Sequence, residues 1–418
     1  MKLAELKKEI EQYQYFEDTS IIDISLAAVI ATRLQLGNPI WLIIIGASSG
    51  GKSQILRPIA LTDTKFLHRV DDLTENTFLS GMKLSKGKFA PSLLQRVGEH
   101  GILVMSDLTV LFSKNAESRG AILSQFRMIY DGEMVKFSGT SDHAISWKGS
   151  LGVIAGSTPS IYTHFEEVAD MGERFIYWRM KDYSAEKATK IAMNRKMSGR
   201  ELDDKLSVLY ADYIKEVVVA MNGKEIEIDE QCKERILKIS MFSERVRTVV
   251  HTDWDKTISK LPVSAMPMRV ALQLTAVAKG LLAMRVAEFG NIAVLSEEDY
   301  QIIDWCGYSL ANEEKRACLR ALCSSDFGST IFTQTIADKV GLSTTIIGNI
   351  LQNLASVGIV IRSGTDRGLT WTMANEQEWE IVRRVENISE KEVMNQRDLS
   401  NEENEESNKL ADEILAKM

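Results

Sequence analysis

The sequence predicts an α/β protein built on a parallel sheet, followed by a helical region and a small unit of helices with a hairpin. Three observations predict it. A run of bulky apolar residues, "WLIII", passes straight into the bare turn "GASSGGKS". Short apolar runs then recur between helical stretches or polar loops, which is the alternation of a parallel α/β sheet. From about Lys181 the apolar pattern turns helical, and after residue 312 a different, compact pattern begins. The chain therefore divides into an α/β core with amino-terminal helices (1–180), a helical region (181–312), the small unit (313–380) and an acidic tail (381–418).

Composition narrows the class. At 418 residues the chain is too long for one core and suits two or three domains. Its 44% hydrophobic and 26% charged content is that of an ordinary globular protein, which sets aside fibrous and wholly disordered classes. No apolar run approaches the roughly 20 residues a membrane helix needs. The amino terminus, "MKLAELKKEIEQYQ", is charged and amphipathic and has no signal-peptide core. The four cysteines (Cys232, Cys306, Cys318, Cys323) include no C-x-x-C pair and the five histidines lie far apart, so neither a disulfide framework nor a zinc site is expected. A reducing cytoplasm is the expected location. The net charge of −8 argues against a general polyanion binder. Residues 390–418 hold nine acidic and four basic side chains, so the body before them is nearly neutral and local basic loops could still meet nucleic acid.

Taken in order, Ser25–Leu36 reads as an amphipathic helix and Gly37-Asn38-Pro39 as a break before the first strand. Further strands are expected in Lys65–Val70, Ile102–Met105, Gly152–Gly156 and Arg174–Met180. In the helical region Leu202, Leu206, Leu209, Tyr213 and Val217 form one core-facing stripe. Pro262 and Pro267 precede a helix over Met268–Ala287, and "LSEEDYQIIDWCGYSL" opens with a serine cap and an acidic first turn. The small unit offers a helix over Lys315–Cys323, a short second helix in "TQTIADKVG" and a third in "STTIIGNILQNLASVG", with a serine cap and a closing glycine. "IVIRSGTDRGLTWTM" then reads as a hairpin. Three helices and a hairpin, the second and third helices joined by a tight turn, describe a winged helix-turn-helix, a fold used against nucleic acid and against protein alike.

The bare turn carries the chemistry. Gly46-x-x-x-x-Gly51-Lys52-Ser53 fits the P-loop pattern without a mismatch. Backbone amides of Gly46, Ala47, Ser48, Ser49, Gly50 and Gly51 would line a polyphosphate, Lys52 would reach the β/γ oxygens and Ser53 would hold Mg²⁺. The helix beginning near Lys52 adds its positive end. ATP and Mg²⁺ are the expected ligands. Hydrolysis also needs a carboxylate at the tip of a neighbouring strand, and "GILVMSDLT" supplies Asp107, 54 residues after Ser53.

Several features match a known family together and in order: the P-loop, the strand ending in Asp107, a helix (Ala116–Asp131), the hairpin-like "EMVKFSGTSDHAISWK", a strand ending "GVIAGSTP", and "MGERF". The chain resembles the AAA+ ATPases, in the branch with a β-hairpin before the sensor-1 strand. Within it the chain is most similar to the minichromosome-maintenance-like helicases and their relatives in phages and mobile elements. The resemblance covers about residues 20–375 and implies an AAA+ P-loop core, an all-α lid over 181–312 and a carboxyl-terminal winged helix. It implies that Thr158 is the sensor-1 residue, Arg174 an arginine finger reaching a neighbouring subunit's nucleotide, and Arg269 the sensor-2 arginine of the lid. Read without the family, Thr158 caps a turn, and Arg174 and Arg269 make structural ion pairs. The chain departs from the family in carrying Ser106-Asp107 where an Asp-Glu pair is usual, so Asp107 alone would serve both metal and water. About 20 residues precede the first motif helix, with no counterpart of the large amino-terminal domain that grips DNA in those helicases.

Two loops could enter a ring's channel. "GMKLSKGKF" spaces Lys83, Lys86 and Lys88 through a glycine-bearing segment, and the hairpin carries Lys136, His143 and Lys148. Such lysines would hold phosphates without reading sequence; equally they are ordinary solvated loops. Thr344 and Thr345 open the candidate recognition helix, and Arg362 and Arg367 flank its wing. The expected protein is an ATP-hydrolysing motor, assembled as a hexameric ring, acting on DNA, single-stranded by preference, in phage or mobile-element replication. A nucleotide-dependent switch that assembles on DNA and recruits a transposition, primase or defence partner is the second class. A protein-remodelling motor is the third, and lysine in the expected pore loops argues against it.

Overall fold

A computed structural model of the chain describes residues 2–48, 50–80, 92–137, 144–164, 174–181, 184–253, 258–290, 292–365 and 368–388. Contacts group it into two units: the chain up to Ser240 with Pro267–Ser309, and Met241–Met266 with the chain from Leu310 onward. The helical stretches 185–240 and 267–309 thus fall in the same unit as the strands of the core.

The strands in chain order are β1 (Trp41–Ile45), β2 (Leu67–Arg69), β3 (His100–Met105), β4 (Glu133–Lys136), β5 (Ile145–Lys148), β6 (Ser150–Ser157) and β7 (Ile176–Arg179), then β8 (Ile331–Phe332), β9 (Val360–Thr365) and β10 (Gly368–Met373). The four further runs expected as strands each hold one, with ends moved by no more than two residues. β2, β3, β6, β1 and β7 form one parallel sheet in that spatial order. All five residues of β1 are buried, as a central strand covered on both faces requires.

The helix before β1 runs over Ser20–Arg33, not Ser25–Leu36. It stops where Gln35 takes φ +53°, which no helix continues through. Nor is it amphipathic: Ile21–Thr32 are all buried, because it packs on one side against β3 and β6 and on the other against the helix Met268–Phe289. Its one acid, Asp23, is ion-paired with Lys7. Met268–Phe289 is long and apolar enough to cross a membrane by length and composition, but two-thirds of its apolar window is buried inside this protein. In the helix Gly199–Ala220 the core-facing stripe runs through Tyr210 and Ile214, with Leu209 only half-buried.

The amino edge of the sheet is fixed by Trp41, whose ring packs edge-on to Phe126 and Tyr130 and tilted against Phe175. Its indole N–H donates to the Leu151 carbonyl at 2.7 Å. Buried Gln273 links β1 to the segment that leads into β7: its Oε1 accepts from the Trp41 amide and its Nε2 donates to the Arg174 carbonyl, both at 2.9 Å. β4 and β5 pair as the expected hairpin, with Met134, Ile145 and Trp147 turned inward. The Trp147 indole donates to Gly98 O at 2.6 Å.

The second unit contains the helices Glu313–Cys323, Thr333–Val340 and Thr344–Ser356, then the β9–β10 hairpin, whose strand β10 also pairs with β8. Gly341, in the left-handed conformation, ends the second helix, and the Ser343 hydroxyl caps the third. Cys318, Leu319, Ile336, Ile347, Leu351 and Trp371 share its core.

Candidate functional site

β1, β6 and β3 lie side by side and parallel, so their carboxyl ends open on one edge of the sheet. The register sets Ile45 beside Ser157 and Met105 beside Ala155. Gly46 follows β1, Thr158 follows β6, and Ser106-Asp107 follow β3. Three segments picked out along the sequence are thereby collected within two strand spacings, roughly 10 Å. Ligands of open α/β sheets bind at this edge.

Gly51 sits at φ +88°, the left-handed turn that lets the chain enter the helix Lys52–Leu61, and only glycine takes that turn without strain. Lys52 is buried, and its ammonium donates to the Gly46 and Ala47 carbonyls at 2.8 and 2.7 Å. Burial pushes its pKa below the ordinary lysine range, and the Asp107 carboxylate works in the opposite direction. Ser53 is half-buried in the first turn, Ala47 and Ser48 are exposed, and Gly50 donates its amide to Ala47 O at 3.1 Å. Ser49 lies outside the described residues.

Asp107 is exposed. Its Oδ1 accepts from the Thr109 amide at 2.9 Å and from the Thr109 hydroxyl, an Asx turn that starts the helix Thr109–Phe112. The next residue, Leu108, donates its amide to Gly156 O at 2.7 Å, which ties the turn to β6. A side chain at 156 would meet the Ser106 carbonyl at 2.6 Å, so glycine there allows the close approach. Thr158 shares a 2.7 Å hydroxyl contact with Ser160 at the start of the 3₁₀ turn Pro159–His164. Among the described residues no three His, Cys, Asp or Glu side chains form a metal-binding group. A cation at Ser53 and Asp107 would take its other ligands from phosphate and water.

A cleft beside Gly50 went unread in the sequence. Tyr15, Phe16, Asp18, Ile21, Trp178 and Lys181 are among its lining residues. Lys181 is ion-paired with Asp18 at 2.8 Å and lies 5.5 Å from the Trp305 ring centre. The aromatic-acidic cluster "YQYFED" was the available signal.

Arg174 and Arg269 stand elsewhere, at the amino edge beside Trp41. Arg174 is buried, donates to both Asp131 carboxylate oxygens at 3.0 and 3.3 Å, and lies 5.6 Å from the centre of the Tyr130 ring. Arg269, second residue of its helix, is 4.0 Å from the same carboxylate. No local signal along the chain announces that these two arginines share one partner.

Of the expected polymer contacts, Lys83, Lys86, Lys88, His143 and Arg367 lie outside the described residues. Lys136 does not present its charge outward: its ammonium donates to Glu75 O (3.2 Å), Asn76 Oδ1 (2.8 Å) and Leu79 O (3.1 Å). Lys148 is exposed at the end of β5, opposite Glu133. Thr344 and Thr345 are exposed on the third helix of the second unit, a helix with no charged residue. Arg362 is hydrogen-bonded to Gln352 of that helix at 3.1 Å.

No protein-family model matches the chain, and no curated protein shows significant similarity to it.

Proposed function

We propose that this chain is a P-loop ATPase that holds Mg²⁺–ATP across the carboxyl ends of β1, β6 and β3. The observation that carries the reading is the meeting of Lys52 and Asp107 at one sheet edge, one strand apart, close enough for the carboxylate to bias the ammonium. On nucleotide binding Lys52 would leave the Gly46 and Ala47 carbonyls for the β/γ phosphates, an exchange of one set of acceptors for a charged one. Ser53 and Asp107 would hold the cation, and Thr158 would face the terminal phosphate. Asp107, with one oxygen already engaged by Thr109, would orient the attacking water through the other.

The finer reading is an AAA+ motor with a helical lid and a winged helix, forming a ring on DNA. Its support is the placement of Arg174 and Arg269 at the edge opposite their own P-loop. β1 alone spans roughly 17 Å between the two edges. As arginine finger and sensor they would serve another molecule's nucleotide; as the Asp131 ion pairs they also form, they would only hold this edge together. ATP turnover measured with and without single-stranded DNA, followed by strand displacement, tests this reading. A second reading, the nucleotide-timed switch, is favoured by the single carboxylate at 107, the inward use of Lys136 and the uncharged third helix. It entails slow turnover that DNA does not accelerate, with ATP promoting assembly.

A further inference from the structure

We propose that Thr109 is a positioning residue for ATP hydrolysis: its hydroxyl fixes the Asp107 carboxylate so that one defined oxygen is presented to cation and water. The proposal rests on the reading of the chain as a P-loop ATPase.

An aspartate at a strand tip in solvent ordinarily samples several rotamers. Asp107 is exposed, yet its Oδ1 accepts from two donors of one residue, the Thr109 amide at 2.9 Å and the Thr109 hydroxyl. The amide is all that an Asx turn needs. The hydroxyl adds a second donor onto the same oxygen, which serine or threonine at 109 can supply and an apolar residue cannot. Oδ2 is left with no hydrogen-bond partner among the described residues. Thr109 is itself held in a fixed frame. The helix Thr109–Phe112 has four residues, too few to persist alone. At its start Leu108 donates its amide to Gly156 O of β6 at 2.7 Å. At its end the buried Arg119 donates to the Phe112 and Lys114 carbonyls at 3.3 and 2.7 Å. The helix also packs against the 3₁₀ turn Pro159–His164, which follows Thr158. The hydroxyl thus passes the rigidity of this frame to a carboxylate that solvent would otherwise leave free to turn. A site with one carboxylate gains most from this, because a rotated Asp107 misplaces the cation and the water together.

The test uses the full chain with Thr109→Val, which keeps the side-chain shape and the amide but removes the hydroxyl, and Thr109→Ser, which keeps the hydroxyl. Turnover at saturating Mg²⁺–ATP should fall roughly tenfold or more in Thr109→Val, with KM within about twofold. Thr109→Ser should recover most of the loss. In an Asp107→Asn background Thr109→Val should cost nothing further, because the hydroxyl acts through the carboxylate. Unchanged turnover in Thr109→Val would overturn the proposal. So would a loss that Thr109→Ser does not restore, or an equal proportional loss in the Asp107→Asn background, either of which gives Thr109 a role in the fold alone. The two readings separate on Lys52→Ala: if that variant hydrolyses ATP like the unaltered chain, the P-loop reading fails and takes this proposal with it. If Lys52→Ala is inactive and Thr109→Val is not impaired, only the role of Thr109 is lost.

Discussion

The Gln14 side chain donates from Nε2 to the carbonyl of Gln54 at 2.9 Å, and Gln54 lies four residues before Pro58 in the helix that leaves the P-loop. Pro58 has no amide proton, so the Gln54 carbonyl loses its helical partner. A buried glutamine from a segment 40 residues earlier replaces the missing donor. The P-loop helix is thereby braced against the segment that carries Tyr15 and Asp18 of the neighbouring cleft.

Replacing Gln14 by Leu should cost about 1 kcal/mol of stability, because the half-buried Gln54 carbonyl then loses its donor. Pro58→Ala would return an amide to position 58, and Gln14→Leu should cost less in that background. A denaturant-unfolding double-mutant cycle measures the coupling. Strictly additive losses would deny that Gln14 substitutes for the missing helix bond.

Asp107→Asn should keep ATP binding and lose turnover by on the order of 10²-fold or more. Asp107→Glu extends the carboxylate by one methylene toward the water position. Faster turnover would mark the aspartate as a device for slow hydrolysis; unchanged turnover would place the water-orienting group elsewhere.

Lys52 supplies a pH signature. Burial holds its pKa below the ordinary 10.5, and phosphate oxygens would raise it again. ATP binding should therefore take up a proton in the alkaline range, with affinity complete below the depressed value and falling as pH rises through it. Without ATP the sign reverses: the native chain holds this proton less firmly than the unfolded chain, so stability from this group rises with pH toward 10.5. Calorimetry in buffers of different ionisation enthalpy, compared with Lys52→Met, reads the uptake. Equal proton uptake in Lys52→Met would assign it to another group.

The hairpin lysines should separate by role. Lys148→Ala should flatten the salt dependence of single-stranded DNA binding by roughly 0.7 in slope, one phosphate contact. Lys136→Met should leave that slope alone and lower thermal stability, since its ammonium holds Glu75, Asn76 and Leu79. Equal slope changes in both would restore Lys136 to the polymer surface.

The strands and the P-loop were legible because their signals are local. An apolar run names a strand wherever it stands, and Gly51-Lys52-Ser53 must turn as it does for backbone reasons alone. Asp107 was legible for the same reason, as the polar tip of an apolar run. The sequence did not disclose what long-range packing decides. Ser20–Arg33 contains enough small and polar residues to look one-sided, yet a second helix covers the face that solvent was expected to wet. Lys136 reads as a loop cation until its three acceptors are seen, two of them backbone carbonyls that carry no sequence signature. The sharing of Asp131 by Arg174 and Arg269 joins residues from three separate stretches and could not be read from any of them.

The most direct test of the account is nucleotide binding and turnover in the unaltered chain against Lys52→Ala. Titration with Mg²⁺–ATP should give saturable binding and measurable hydrolysis in the unaltered chain. In Lys52→Ala both should fall to background while the circular dichroism spectrum is kept, since the acceptors the buried ammonium gives up, Gly46 O and Ala47 O, belong to the loop and not to a helix or strand. Equal ATP binding and turnover in the two proteins would contradict the account, and so would failure of the unaltered chain to bind any nucleoside triphosphate.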